Sequence, residues 1–326
     1  MPIHYPEHRP PFSWENIRVN DELGRVEGVI TEGTVLAHAF AIGEDPQTYL
    51  QGFDGLGPFV PPSLLVNDLL KLFLIGYDCS ILGSAAGLHT KAQIKIHAPI
   101  PIGSTVSITG RHIAKFIKGG RRSRSVASRV SANGVLLAEM LATETVGFGT
   151  DHGPDTEGEP ANWAAALPRV SPVFPSAAPR ATPGRPLSPG MALGPRRRWV
   201  GYEQSLLFSG FPYGWAQERP ELRQGLHTNY EVAQRGGYPA PIAQGLLSAG
   251  HLSALLLEQV GKDYFNGTEL ALNFVAPVVV GTTLISHAVV QPARVEDGGA
   301  QLLSLVTVDA EGSVKTAGYA RLPRGA

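Results

Sequence analysis

The residues best placed to do chemistry stand together between Leu222 and Leu257. His227 sits in a short polar run, GLHTNYEVA, and a turn-rich segment with Gly236, Gly237, Pro239 and Pro241 follows. Gln244 and Gly245 come next, directly ahead of an apolar run of helical length, LLSAGHLSALLL. Such a pair opens a buried helix, where backbone N–H groups lack intrahelical partners and the positive end of the helix dipole points outward. A base close to that end suits chemistry on a carbonyl compound, because the helix start can hold negative charge that develops on oxygen. A loop that merely leads into a core helix, with an exposed histidine, is the alternative reading of the same spacing. His251 lies two turns further on, either a core histidine satisfied by a backbone carbonyl or a second catalytic group. The histidines are scattered and no cysteine pair exists, so no metal site is expected. A Gly-x-Ser-x-Gly elbow, a phosphate-cradling Gly-Lys-Ser loop and a dinucleotide fingerprint are also missing from the sequence.

The chain of 326 residues has room for two domains or one larger unit. Its 27 basic and 28 acidic residues leave a net charge of −1, which calls for neither nucleic acid nor an anionic membrane as partner. The single cysteine, Cys79, rules out an intrachain disulfide, fits a reducing compartment and reads as a small buried hydrophobe. The N-terminal MPIHYPEHRPPF carries no apolar signal core, and the longest apolar segment, Leu64 to Ile75, is too short to span a bilayer and contains Asn67, Asp68 and Lys71. A soluble, cytoplasmic protein is expected.

Two kinds of element must position the site. Ser63 reads as the N-cap of a helix, LLVNDLLKLFLI, that is apolar nearly all round and hence buried. Val35 to Ile42 is too short to assign to helix or strand. From Ala92 to Val146 the period changes to alternation with β-branched residues and Gly or Asn-Gly turns, an antiparallel meander. Ten prolines between 151 and 195 leave no room for a regular core element and mark a linker. Beyond it the first half recurs. Ala98-Pro99 with Gly103 returns as Ala276-Pro277 with Gly281, and Asn133-Gly134 as Glu311-Gly312, both at an offset of 178 residues. The expected class is α+β, with two units at 1–150 and 196–326 joined by 151–195, each a long helix followed by antiparallel strands.

One long helix wrapped by an antiparallel sheet is the hotdog architecture, and its fused duplication is a double hotdog. The repeated AP…G-T turn resembles a strand motif of MaoC-like (hydratase 2) enzymes. GLHTNYEVA resembles that family's His-bearing motif, and GYPAPIAQG the segment leading to its helix start. The second half is the closer match; the first resembles the dehydratase-like domain of double-hotdog members of the mesaconyl- or itaconyl-CoA hydratase type. The resemblance implies a hydratase or dehydratase, a hydro-lyase, acting on a 2-enoyl or 3-hydroxyacyl thioester. It implies no cofactor beyond the coenzyme A or phosphopantetheine of the substrate. His227 would be the base, the Gly245 backbone the oxyanion donor, and Gln244 would stand where the family often has histidine.

The family's aspartate, five residues before the histidine, is Leu222 here. The segment FPYGWAQERPELRQ offers Glu218 and Glu221 as substitute acids, or as solvated loop charges, and Tyr213 and Trp215 as pocket walls. Gly43-Glu44-Asp45 echoes the acidic motif in the first half, but Tyr49 lies near where a histidine is expected. That half would then form the wall of an acyl tunnel, leaving one active site per chain. Lys115, Lys118, Arg121, Arg122 and Arg124 around Gly119-Gly120 form a solvated hairpin or a dock for coenzyme A phosphates or an acidic acyl-carrier protein. Arg196 to Arg198 would join them or begin a strand. A homodimer is compatible with the fold. Two alternatives retain the fold without hydration: a cyclase or isomerase of a polyketide-like substrate, and a non-catalytic thioester binder.

Overall fold

The computed structural model describes residues 3–323 apart from 54, 67–68, 70–71, 79–86, 148–155, 159–170, 172, 211–224 and 293–299. The first unit opens on β1 (Ile3–His4) and β2 (Glu22–Val29), followed by helices α1 (Glu32–Ala41) and α2 (Gln47–Gln51). Thr31 caps α1 by accepting a hydrogen bond from the Thr34 N–H, which settles the undecided Val35–Ile42 stretch as helix. A short helix, α3 (Phe73–Gly76), and a helical bond from Leu69 N–H to the Leu65 carbonyl lie within the expected Leu64–Ile75 helix. Its described leucines are buried. Ser63, expected to cap it, is buried instead with its hydroxyl 2.9 Å from His38 Nε2. Burial holds His38 neutral, with its pKa lowered to about 3.

Strands β3 (His89–Ile96), β4 (Thr105–Lys118), β5 (Arg121–Ala132) and β6 (Val135–Thr145) form the meander that the alternation calls for. In β4 every second side chain from Val106 to Phe116 is buried, the period of a sheet with one face on the core. The second unit repeats the plan with β8 (Ala192–Val200), α4 (Tyr202–Gly210), α5 (Tyr230–Arg235), β9 (Ile242–Ala243), α6 (Gly245–Val260), β10 (Glu269–Phe274), β11 (Val278–Val279), β12 (Thr282–Val290), β13 (Gln301–Val308) and β14 (Val314–Leu322). All residues from Leu246 to Leu257 in α6 are buried, as a helix apolar on every side requires.

The two halves share one antiparallel sheet, ordered β1-β2-β4-β5-β6-β3-β10-β14-β13-β12-β8. Its seam is β3 against β10, with Ile94 opposite Leu270 and the Gln93 side chain donating to Glu269 across it. The repeat is visible at its turns. Gly103 and Gly281 both adopt positive φ, +89° and +94°, and each N–H donates over 2.8 Å to the strand before the first helix, to Ile30 and to Val200. The fold is thus α+β, one helix-and-sheet unit duplicated about the β3–β10 seam.

The proline-rich segment between the halves is held at several places. Its residues Thr156–Gly158 form β7, an added strand on β4. Further on, Gln259 at the end of α6 donates to the Thr182 carbonyl and accepts from the Gly184 N–H, and Leu187 is buried. Regular structure resumes at Ala192 rather than at 196. No helix among the described residues is long and apolar enough to cross a membrane.

Candidate functional site

Four hydrogen bonds among the described residues hold the segment around His227. Leu226 beside it accepts from the Ile242 N–H at 3.0 Å. The hydroxyl of Ser205 on α4 donates to the His227 carbonyl, and that of Tyr202 to the Thr228 carbonyl. The imidazole Nδ1 lies 2.6 Å from the Ile242 carbonyl oxygen. A carbonyl only accepts, so Nδ1 carries a proton, and in the neutral ring Nε2 then holds the lone pair, the tautomer of a general base.

The same Ile242 begins β9, which pairs with β11 and delivers the chain to Gln244, the N-cap of α6. The Gln244 side chain makes no capping bond, so it does not cover the first N–H groups of the helix. Its Oε1 is buried and without a partner among the described residues. A Cβ on Gly245 would lie 2.5 Å from the Phe274 ring, so glycine is what allows the helix start to approach that ring. His227, Gln244, Gly245 and Ser248 line a cavity of about 280 Å³.

The opposite wall comes from the first half: Gly87, Leu88, His89, Thr90, Arg121 and Glu144. The His89 ring packs on Phe274, tilted by 48° with centroids 4.6 Å apart. Its Nε2 lies 2.7 Å from the Lys91 carbonyl and must donate to it, which leaves Nδ1 an acceptor, buried and without a partner among the described residues. Burial foremost lowers the His89 pKa to about 3; the Lys91 carbonyl opposes, while Arg124 and His227 add to the lowering. Burial pushes the Glu144 carboxyl above its ordinary range, and Arg124 pulls it partly back.

Arg124 is itself almost fully buried, with its guanidinium 4.4 Å from the Phe73 ring centroid. It donates to Glu144 and, over 2.8 Å, to His112 Nε2. That contact places the His112 proton on Nδ1, which donates to the Tyr77 hydroxyl, and Tyr77 donates to Asp21. Donation therefore runs outward from Arg124 in both directions, through His112 and Tyr77 to Asp21 on one side and directly to Glu144 at the cavity wall on the other.

Sequence reasoning found His227, Gln244 and Gly245, and the structure brings all three to one cavity. It did not find His89 or Glu144. The available signal was a break in the repeat, since His89 stands where the second half has Gly267. Glu218, Glu221, Tyr213, Trp215, Leu222 and Cys79 lie outside the described residues.

The members of the basic cluster have different surroundings. Lys115 reaches the Ile17 carbonyl and the Trp14 ring, Arg122 pairs with Glu15, Arg124 is internal, and Arg121 lines the cavity. Arg196 and Arg198 lie in β8 and share Glu44, with Arg196 also on Glu258. His251 is buried, as a core residue should be, but its Nδ1 has no hydrogen-bond partner among the described residues. Among those residues no group of three metal-ligating side chains occurs.

Residues 223–310 match the family described as MaoC like domain. No curated protein matches the chain in sequence. Among solved structures the chain is similar over 96% of its length to one titled MaoC-like dehydratase, covering 100% of that chain at 15% identity and a TM-score of 0.67. A MaoC-like dehydratase from Phytophthora capsici is similar over 97% of this chain and 100% of its own, at 18% identity and a TM-score of 0.63. A Mycobacterium tuberculosis protein described as having a double hotdog fold covers 96% of this chain and 97% of its own, at 14% identity and a TM-score of 0.58. The chain has the double hotdog fold, its residues 223–310 match a MaoC like domain, and the cavity lies between that stretch and residues of the first half.

Proposed function

We propose that the protein is a hydro-lyase that adds water to a 2-enoyl thioester, or removes it from the 3-hydroxyacyl thioester, with one active site per chain. The acyl group is carried by coenzyme A or by the phosphopantetheine of an acyl-carrier protein. In hydration, Nε2 of His227 takes a proton from water as oxygen bonds to Cβ. The π electrons move through Cα onto the thioester oxygen, and the imidazolium returns a proton to Cα as the enolate collapses. The Gly245 N–H holds that oxygen while it is charged. A donor of this kind is worth about 3 kcal/mol of barrier, and proton transfer by a placed histidine about 10²- to 10⁴-fold.

The observation that carries this reading is the coincidence of two features in one cavity. The His227 tautomer leaves Nε2 as a base, and an uncapped helix start stands beside it at Gly245. Incubation with a panel of 2-enoyl-CoA esters, followed by loss of the conjugated thioester absorbance, tests it. Turnover of at least one ester is expected; no turnover across short, medium and long chains would overturn the assignment. Mesaconyl- and itaconyl-CoA carry a branch and a second carboxylate that simple 2-enoyl esters lack, so both are added to that panel.

A further inference from the structure

His89 belongs to the half of the molecule expected to supply only a wall, yet nothing in the fold requires an acceptor there. Its Nε2–H is committed to the Lys91 carbonyl, its ring face to Phe274, and its Nδ1 is left sealed from bulk solvent with no partner among the described residues. An unpaired buried acceptor costs about 1–3 kcal/mol. Such a cost is recovered when a donor enters the cavity. His89 and His227 line the same cavity from opposite halves.

We propose that His89 Nδ1 accepts the hydroxyl O–H of the ligand, the 3-hydroxyl of a hydroxyacyl thioester or, in the hydration direction, the O–H of water that is retained in the product. The proposal rests on the thioester reading of the cavity. In the hydration step the water gives one proton to His227 and keeps the other, and the retained O–H points at His89. This aims an oxygen lone pair at Cβ. No proton passes to His89, which its resistance to protonation permits. His89 is thus a positioning group for the nucleophile, supplied across the β3–β10 seam, and it fixes where the oxygen rather than the acyl chain sits.

The test compares binding of a 3-hydroxyacyl-CoA with that of the saturated acyl-CoA of equal length, which lacks the hydroxyl. Wild-type protein is expected to prefer the hydroxylated ligand by about tenfold, one charge-free hydrogen bond's worth. His89→Phe keeps a ring on Phe274 but has no acceptor; it should bind both ligands equally and lower kcat for the enoyl ester with little change in KM. His89→Asn, whose amide oxygen falls near the Nδ1 position, should regain part of the preference. Should His89→Phe not fold, His89→Met carries the same expectation. An unchanged binding ratio in a folded acceptor-free variant would overturn the role, whatever happens to kcat. Wild-type protein that binds both ligands equally would do the same. Wild-type protein that binds neither would overturn the thioester reading itself.

Discussion

The two halves hold equivalent places that differ in almost every property a site needs. In the strands, the offset of 178 residues sets Ala98 against Ala276, Leu137 against Lys315 and Ala138 against Thr316. At the helix start, the Val60 N–H bonds the Ile100 carbonyl as Ala243 pairs with Val278, so Pro62 takes the place of Gly245 and Leu65 that of Ser248. The Phe59 N–H bonds the Tyr49 carbonyl as Ile242 bonds Leu226, so Leu50 follows where His227 does. The first-half place encloses only about 10 Å³, lined by Pro61, Pro62, Leu65, Leu137, Ala138 and Phe265. The second encloses about 280 Å³ and is lined by His227, Gly245, Lys315 and Thr316. Proline has no N–H to offer an oxyanion, and leucine and alanine fill rather than bind. The repeat gives two equivalent places; side-chain volume fills one and leaves the other open, with walls from both halves.

The largest effect expected at this asymmetry is on the base. His227→Ala should lower kcat for enoyl-CoA hydration by about 10²- to 10⁴-fold, measured by thioester absorbance, while Leu50→His in the closed place adds no activity. Retained activity in His227→Ala would break the comparison. Next comes the internal ion pair that serves the open cavity from the closed half. Arg124→Met leaves Glu144 buried without its cation and should destabilise the fold by about 3–5 kcal/mol in urea titration. Glu144→Gln in the same background should recover part of it.

Exchanging the paired helix residues sharpens the contrast. Ser248→Leu fills the open cavity and should reduce kcat/KM by about 100-fold or more, equivalent to roughly 3 kcal/mol, without unfolding the protein. Leu65→Ser should leave kcat alone and cost about 3 kcal/mol of stability, since Leu65 is buried in the closed place. An acid titration reads both halves at once. His38, His89 and His251 have folded pKa values lowered by burial to about 3 from an ordinary 6.5. The unfolded chain therefore takes up their protons first. Their contribution is fully present above about pH 6.5 and is lost as pH falls toward 3, so the urea midpoint should drop steadily across that window. A flat midpoint there would show that these rings are not buried neutral. The smallest effect belongs to Pro62→Ala, which should cost no more than about 1 kcal/mol and leave kcat unchanged.

Much of this was legible in the chain because turns and helix starts are local. Gly103 and Gly281 announced the duplication since only glycine adopts their φ without strain, and Gln244-Gly245 before an apolar run announced the helix start. The difference between Pro62 and Gly245 was written in the sequence too, though the register that equates them needed the strand pairing. His89 was not legible. It meets the second-half site only because β3 pairs with β10, a contact across some 180 residues that no local period encodes. Arg124 misled for a related reason. In a hairpin rich in lysine and arginine, alternation turns one cation inward, and its buried partners lie on β4 and β6.

The asymmetry itself is tested most directly by counting ligands. Calorimetric titration of the full chain with a 3-hydroxyacyl-CoA should give one site per chain, abolished by Ser248→Leu and unaffected by Pro62→Ala. Two equivalent sites per chain, or a single site that survives Ser248→Leu, would contradict the account.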